Sequence, residues 1–204
     1  MKLLELLVES KGAKTVVVYG GRFQPFHKGH YAAYKWLCHK FGKENVWLAS
    51  SNKTNTDPAA GDISPFTFKE KKEIMVGLYG ISARRIVQCD NPTFKPIEIF
   101  KLYHGYDITY ISAVGSKDEG RYVGGDFFKP LPDKERDWET LEDKVGYYTI
   151  IPMAKKISGT QVREALTKAI SADEADLEDV YHKFFGHYDS TIAQLITAKL
   201  KDIK

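Results

Sequence analysis

The segment from residue 15 to residue 30 reads as a buried strand that passes through a glycine turn directly into a helix. Thr15 to Tyr19 are all β-branched or aromatic, which is typical of a strand covered on both faces. The two glycines that follow allow a sharp turn and let a ligand approach the backbone closely. Because Pro25 disfavours helical geometry for the residue before it, we expect the helix to begin near His27 or Lys28. A covered strand that leads straight into a helix is typical of a parallel α/β sheet.

Two histidines stand near the expected start of this helix, His27 and His30. Positions i and i+3 share one helix face, and Gly29 between them leaves room for a ligand atom near the backbone. A helix N-terminus attracts anions through its unpaired N–H groups and its dipole. The imidazoles would therefore be able to stabilise the charge that gathers on a phosphate under attack. Two other interpretations remain open: a pair of surface histidines, and a zinc pair that lacks its third ligand.

A second segment with the same character lies far downstream, at residues 157–163. Ser158 and Gln161 have the spacing of a capping box, which predicts another helix start. Thr160 supplies a hydroxyl there, and Arg163 supplies a guanidinium that is able to bind two phosphate oxygens at once. Ordinary capping explains Ser158 without any ligand, so this segment alone does not decide between structure and binding.

Taken together, the two segments resemble the HxGH nucleotidyltransferase superfamily, which includes small adenylyl- and cytidylyltransferases. His27-Lys28-Gly29-His30 matches the HxGH signature, and residues 157–163 are similar to the ISxTxxR signature, in the order that the family has them. Residues 21–30 are most similar to the archaeal-type nicotinamide-nucleotide adenylyltransferases and their bifunctional bacterial relatives. The resemblance spans roughly Thr15 to Leu166.

The resemblance implies that the phosphate of an acceptor attacks the nucleotide α-phosphorus and expels pyrophosphate, with no covalent enzyme intermediate. His27 and His30 would then hold the α-phosphate as catalytic residues. The third catalytic residue, Arg163, would hold the β- and γ-phosphates. The turn that follows Val114 resembles a nucleotide-holding Gly-x-Asp turn of relatives, with one extra lysine. The residues expected to contact the nucleotide or its phosphates are Gly21, Arg22, Phe23, Gln24, Lys28, Gly29, Gly115, Lys117, Asp118, Ser158, Gly159 and Thr160.

A magnesium ion is expected as cofactor, carried in by the triphosphate with most of its waters, so no protein metal ligands are predicted. Relatives commonly stack a nicotinamide ring on an aromatic residue, often tryptophan, after the third strand. In this chain Phe94 occupies that stretch, and Asn91 and Arg121 are the other expected acceptor contacts.

The resemblance thus favours adenylyl transfer from ATP to nicotinamide mononucleotide, which would give NAD. Cytidylyl or adenylyl transfer to another phosphorylated small molecule is the alternative reaction. A third hypothesis is a nucleotide-binding module without turnover. The presence of His27, His30 and Arg163 together argues against that module.

The fold class follows from strands that alternate with helical stretches over residues 1–170. This alternation predicts a Rossmann-like α/β domain, with a parallel sheet and helices on both faces. A single domain suits a chain of 204 residues. The other expected strands and helices are a strand at Val46 to Ser51, a helix capped by Ser64 with Pro65 first that ends near Gly80, a strand at Arg85 to Cys89, a helix at Ile97 to Tyr103 and a strand at Ile108 to Val114.

Two regions stand apart from this alternation. Residues 120–146 are long, charged and irregular, which favours a lid over the site or a plain insertion. Residues 171–204 are expected to form a helical extension, opened by a Ser171–Glu174 capping box, that packs on the sheet domain. A contribution to the acceptor site and a contact in a homo-oligomer are the alternatives. The helices expected there are Ala175 to Phe185 and Asp189 to Leu200.

Composition gives weaker guidance about partners and compartment. The chain has two cysteines and no signal-peptide pattern, which favours a reducing cytoplasm over a disulfide framework. A net charge of +3 gives no strong case for nucleic acid. Leu3 to Val8 is too short to span a membrane, so we expect a small docking helix there and no membrane partner.

Overall fold

The computed structural model describes residues 12–123, 127–135, 141–142, 145–152, 157–172, 174–201 and 203. The docking helix expected at residues 3–8 lies outside these ranges. Within these ranges six strands form one sheet in which every neighbouring pair is parallel, so the predicted α/β fold with a parallel sheet is confirmed. The strands are β1 (Ala13–Gly20), β2 (Val46–Ser50), β3 (Ile86–Gln88), β4 (Asp107–Gly115), β5 (Phe128–Pro130) and β6 (Gly146–Ile151).

The strand order is β3-β2-β1-β4-β6-β5, so the chain changes direction across the sheet between β1 and β4. These two strands are in register along most of their length, with Tyr19 beside Ala113. In open α/β sheets ligands bind outside the carboxyl ends of the strands at such a switch point. Gly20 and Gly115, which end β1 and β4, therefore mark the expected ligand crevice.

The two faces of the sheet are covered unequally. Alternate residues of β1 point to opposite sides, so Val17 packs into the larger core and Val16 into a smaller one. Most of the helices cover the larger core, whereas α3 and the 3-10 turn after it cover the smaller one. The helices are α1 (Lys28–Phe41), α2 (Phe68–Tyr79), α3 (Ile97–Phe100), α4 (Gly159–Ile170), α5 (Glu174–Phe185) and α6 (Ser190–Lys201).

The predicted start of α2 was wrong. The helix is capped by Thr67, whose side chain accepts from the backbone N–H of Glu70 while the Glu70 carboxylate accepts from the N–H of Thr67. The expected cap, Ser64, instead forms an isolated antiparallel bridge with Asn55. Thr67 prevails because its capping box satisfies two N–H groups, while Ser64 is held in extended pairing.

Two predictions toward the C-terminus also need correction. Ser171 does not open α5; it ends α4, with its hydroxyl donating to the carbonyl of Thr167. The segment at residues 120–146 is not wholly irregular, because it contributes the edge strand β5 through pairing with β6. A three-residue strand is too short to leave a clear alternating pattern in sequence.

The last two helices pack on the rest of the chain. Tyr181 and Ile196 are fully buried in the larger core together with residues of α1 and α2. The Tyr79 hydroxyl donates to the carbonyl of Phe185, which connects α2 with the end of α5. No helix in the described part of the chain is both long and apolar enough to cross a bilayer.

Candidate active site

The two histidines of the first motif form the cap of α1. His27 is the N-cap, and its Nδ1 accepts from the N–H of Gly29 at 3.2 Å. His30 Nδ1 accepts from the N–H of His27 at 3.3 Å, so the pair is a capping box made of imidazoles. The rings are stacked, with centroids 3.8 Å apart. The helix start near residue 27 is therefore confirmed, and the HxGH spacing satisfies two backbone donors.

Both imidazoles are neutral in this arrangement. Burial lowers the pKa of His27 to about 4. The pKa of His30 is also well below its usual value, because of burial and the nearby His27. Since each Nδ1 accepts a hydrogen bond, each proton is assigned to Nε2. The Nε2 of His27 is buried and has no hydrogen-bond partner among the described residues, which is costly unless a ligand completes it.

Two aromatic rings pack against His30. Phe23 meets the imidazole edge-on at a centroid distance of 5.1 Å, and Phe26 lies 5.4 Å away. Phe23 is 3% exposed and adopts a φ of 49°, which is uncommon for a residue with a side chain. This predicted nucleotide contact thus has a visible packing role, as support for the histidine.

The two sequence motifs meet through Arg163. One guanidinium nitrogen, Nη1, donates to the carbonyl of Gln24 at 2.6 Å, and Nη2 donates to the hydroxyl of Thr160 at 3.3 Å. A Cβ on Gly159 would lie 2.5 Å from the same Gln24 carbonyl, so only glycine fits this approach. The predicted cap of α4 is confirmed, since Ser158 and Gln161 exchange side-chain to backbone hydrogen bonds.

Gln24 serves the fold with its side chain. Its amide nitrogen donates to the carbonyl of Phe66, and its amide oxygen accepts from the N–H of Phe66, both at 2.9 Å. The side chain is 6% exposed. The expected nucleotide contact is therefore occupied by a backbone partner, and sequence reasoning had no signal for this pairing across 42 positions.

A cleft of about 400 Å³ opens beside the residues that precede His27, and Arg22 and Gln24 line it. Arg22 lies at its edge and forms an ion pair with Asp62 at 2.6 Å, with both side chains largely exposed. Arg22 and Asp62 also act electrostatically on Arg163, whose pKa is lowered mainly by burial, further lowered by Arg22 and raised by Asp62. The cleft is lined by Arg22, Gln24, Ser51, Lys53, Thr54, Asn55, Ala60, Asp62, Ser64, Lys71, Asp90 and Pro92.

Lys71 is one of the cleft residues that sequence reasoning missed. Its side chain is 1% exposed, and its ammonium donates to the hydroxyl of Ser50 at 2.8 Å and to the carbonyl of Ser51 at 2.5 Å. Burial lowers its pKa to about 8. A signal did exist, because Lys71 lies on the same apolar stripe of α2 as Phe68 and Ile74.

The loop with the expected acceptor residues lies against the end of β1. A Cβ on Gly20 would be 2.2 Å from the carbonyl oxygen of Pro92, so only glycine allows the two backbone segments to lie this close. Phe94 follows and stacks on Tyr122, with the Arg121 guanidinium 5.0 Å from its centroid. The structure thus brings Phe94 and Arg121 together. The side chain of Asn91 accepts from the N–H of Phe94 and so shapes the turn.

The turn after β4 is open. No atom of the residues that the structure describes lies within 4 Å of a Cβ built on Gly115, and Lys117 and Asp118 are exposed. Asp118 forms an ion pair with Arg121 at 3.4 Å. Burial raises the pKa of Tyr19, and the charge of Asp118 raises it further. The expected nucleotide turn therefore lies at the switch point of the sheet, on the Arg121 side of the crevice.

Comparison with known proteins identifies a family and several solved structures with the same fold. A family model described as cytidylyltransferase-like matches residues 18–165. A protein of Symbiobacterium thermophilum named as a probable nicotinate-nucleotide adenylyltransferase is 28% identical over 141 residues. The match covers 66% of this chain and 62% of that relative, so the chain matches less than two thirds of the relative's length.

Solved structures of the same fold include two adenylyltransferases. The Plasmodium falciparum nicotinic acid mononucleotide adenylyltransferase complexed with NaAD has a TM-score of 0.57 at 18% identity, covering 94% of this chain and 98% of that one. A bifunctional NMN adenylyltransferase/ADP ribose pyrophosphatase from Francisella tularensis, complexed with AMP and a manganese ion, has a TM-score of 0.54 at 17% identity. That match covers 93% of this chain and 52% of the bifunctional protein.

Proposed function

We propose that this chain, which belongs to the cytidylyltransferase-like family, transfers the adenylyl group of ATP to the phosphate of a pyridine mononucleotide and releases pyrophosphate. One observation carries the proposal: Arg163 of the second motif binds the backbone three residues before His27 of the first. The names of the relatives support a pyridine mononucleotide as acceptor. The sequence resemblance favours its nicotinamide form.

The reaction needs no nucleophile from the protein. An oxygen of the acceptor phosphate forms a bond to the α-phosphorus, while the bond from that phosphorus to the oxygen bridging to the β-phosphate breaks. The Nε2–H groups of His27 and His30 would donate to the α-phosphate oxygens as charge develops on them. Such donors act most strongly when they are preorganised and shielded from water, as the capping box makes them.

Cations of the two motifs and of the cleft would hold the leaving pyrophosphate. Arg163 would bind the β- and γ-phosphates with the Thr160 hydroxyl beside it, and Lys28 at the first position of α1 would assist. Arg22 would leave the Asp62 carboxylate and bind a phosphate oxygen instead, because a guanidinium binds carboxylates and phosphates alike. Lys71 adds a buried positive charge to the same cleft.

Magnesium would enter this site bound to the triphosphate. Among the described residues no three His, Cys, Asp or Glu side chains lie close enough together to hold a metal ion. Two carboxylates, those of Asp62 and Asp90, line the cleft, and Asp62 is the one paired with Arg22. Mg²⁺ commonly takes one or two carboxylates with phosphates and waters. When bound, the ion would neutralise charge on the phosphate oxygens.

Pyrophosphate release tests the proposal. Purified protein is incubated with ATP or CTP, Mg²⁺ and one of several phosphorylated acceptors, with nicotinamide and nicotinate mononucleotides among them. We expect release with ATP and a pyridine mononucleotide, and a fall of about 100-fold or more in His27→Ala and His30→Ala. His39→Ala is the matched control, because His39 is an exposed histidine on the same helix.

Other outcomes of this experiment separate the alternatives. No release with any acceptor, in a preparation that still binds ATP, would indicate a nucleotide-binding module. Release with CTP or another acceptor alone would replace the proposed reaction with the alternative one. Unchanged turnover in both histidine variants would exclude the proposed role of the Nε2–H donors.

A further inference from the structure

The Phe94 loop is fixed on the sheet by one carbonyl group. The carbonyl oxygen of Thr93 lies 3.0 Å from the hydroxyls of Tyr110 and Ser112, and 3.3 Å from that of Tyr122. The preceding residue, Pro92, touches the end of β1 just before the first motif. Phe94 is therefore a fixed aromatic ring at the crevice, and its position does not depend on a ligand.

The ring of Phe94 already holds a planar cation. The Arg121 guanidinium lies over it at 5.0 Å, while Tyr122 stacks on the ring at a centroid distance of 5.0 Å and an angle of 27°. An aromatic face that attracts a guanidinium also attracts a pyridinium ring, because both are flat cations. The Arg121 side chain is 60% exposed and is paired only loosely with Asp118 at 3.4 Å, so an incoming ring is able to displace it.

The charge of the displaced guanidinium distinguishes the two pyridine bases. The base of nicotinamide mononucleotide is a pyridinium with a neutral amide and carries a net charge of about +1, which Arg121 repels. The base of nicotinate mononucleotide carries a carboxylate as well, so that its net charge is about zero. A guanidinium binds a carboxylate through two parallel hydrogen bonds, which an amide does not offer.

From this geometry we propose that Arg121 is a specificity-determining residue that selects a mononucleotide whose pyridinium ring bears a carboxylate. The ring stacks on Phe94, and Arg121 moves to the rim of the ring and pairs with the carboxylate. This inference rests on the proposed adenylyl transfer. It reverses the preference for the nicotinamide form that the sequence resemblance favours.

Neighbouring charges modify the effect in a defined direction. The carboxylate of Asp118 competes for Arg121, whereas Lys117 and Lys95 are exposed cations in the adjoining turn and loop. Asp118→Asn should therefore strengthen the preference for the nicotinate form, because it frees the guanidinium. A purely structural role of Arg121 would give no change of preference in this variant.

The test compares both mononucleotides at saturating ATP. In the unchanged protein we expect kcat/KM to favour the nicotinate form by about tenfold or more. Arg121→Gln should lower kcat/KM for the nicotinate form about tenfold through KM, leave or improve the value for the nicotinamide form, and leave the KM of ATP unchanged. Arg84→Gln is the matched control, since Arg84 is an exposed arginine before β3.

A binding measurement without turnover tests the acceptor preference independently of the proposed reaction. Calorimetric titration of each mononucleotide should show the same preference, and its loss in Arg121→Gln, even in a preparation that fails to release pyrophosphate. A preference for the nicotinamide form, or equal losses for both forms in Arg121→Gln, would overturn the role of Arg121. Binding of neither mononucleotide would overturn both this inference and the proposed acceptor.

Discussion

A capping box built from two histidines links local structure to charge state at the scale of single residues. The hydrogen bonds that start α1 use Nδ1 of both rings, which leaves both Nε2–H groups as donors. The same burial that depresses both pKa values keeps the donors uncharged at neutral pH. The two hydrogen bonds that start α1 therefore also orient the Nε2–H donors of the candidate site.

The titration of His27 predicts how stability changes with pH. Its pKa falls from 6.5 in the unfolded chain to about 4 in the folded one, so the unfolded chain binds more protons between these values. The neutral ring contributes fully to the free energy of unfolding above pH 6.5, and this contribution is lost as the pH falls toward 4. It amounts to about 3 kcal/mol. The measurement is the free energy of unfolding in denaturant from pH 7 to pH 4.

His27→Asn is the informative variant for this prediction. Asparagine is a good N-cap and does not titrate, so the helix start is retained while the proton linkage is removed. The decline in stability should be shallower in His27→Asn than in the unchanged protein, and the control His39→Ala should retain the full decline. Identical slopes in all three proteins would show that His27 is not buried in its neutral form.

Gly159 predicts a second effect at the residue scale. In Gly159→Ala the new methyl group would lie 2.5 Å from the Gln24 carbonyl, and that carbonyl also accepts from Arg163. The two motifs must then move apart, which should cost about 1 to 3 kcal/mol of stability. We also expect kcat/KM to fall about tenfold or more.

Gly120→Ala is the control for that substitution, because no atom in the described part of the chain lies within 4 Å of its added Cβ. Its unfolding midpoint and kcat/KM should match those of the unchanged protein. A Gly159→Ala protein with native activity would mean that the close approach of the two motifs is not needed for turnover.

At the scale of elements, α2 combines a core stripe with a buried charge. Lys71 lies among the buried residues of the helix, and its ammonium has hydroxyl and carbonyl partners at the end of β2. Isolated buried ammonium groups are costly, and they persist mainly where their charge is used. The helix therefore carries a residue that is costly to bury at a position where it lines the cleft as a cation.

Lys71→Met should separate these two effects. Removal of the buried charge should raise the free energy of unfolding by about 1 to 3 kcal/mol at pH 7, because the pKa of Lys71 falls from 10.5 to about 8 on folding. The same change should lower kcat/KM about tenfold or more, since a phosphate loses a charged partner. Denaturant titration and initial rates measure the two effects.

The pH dependence adds a check on this variant. Between about pH 8 and pH 10.5 the unfolded chain holds the Lys71 proton and the folded chain does not, so the unchanged protein gains stability relative to Lys71→Met as the pH rises. Lys69→Met is the control, because Lys69 is an exposed residue of the same helix. A Lys71→Met protein with lower stability would show that the two hydrogen bonds outweigh the desolvation.

At the scale of the whole molecule, the C-terminal helices share the core of the sheet. Ile196 of α6 is fully buried with residues of α1, α2 and α4. Ile196→Ala should therefore destabilise the entire chain by about 2 to 4 kcal/mol. Far-UV circular dichroism and tryptophan fluorescence should report one coincident unfolding transition.

Gln194→Ala is the matched control on the exposed side of α6 and should unfold like the unchanged protein. Two separate transitions, with only the first one shifted in Ile196→Ala, would indicate that residues 171–204 unfold independently. That result would contradict the shared core.

Long, strongly patterned elements were predictable from sequence. Thr15 to Tyr19, the helix start near His27 and the capping box at Ser158 carry their signals within a few residues, and the parallel sheet follows from the alternation of strands with helices. Features that depend on distant partners were not predictable. The pairing of Gln24 with Phe66 and the position of Lys71 beside Ser50 arise only when loops far apart in sequence meet.

The candidate site was predictable in part for the same reason. The motif residues themselves were identifiable, because each motif is local. The Arg121–Phe94 contact joins two loops that follow different strands, and no local pattern encodes it. Asp62 lies in a polar loop where charged residues are ordinary, so its ion pair with Arg22 had no signal.

The hydrogen bond from Arg163 to the carbonyl of Gln24 joins residues that are 139 positions apart. During synthesis the N-terminal motif leaves the ribosome long before its partner, so a nascent chain holds its histidine pair without the arginine. Contacts of such high sequence separation also slow folding, because a large loop must close first. Competence to handle a triphosphate should consequently arise late, only after the second motif has been translated and the switch-point crevice has closed.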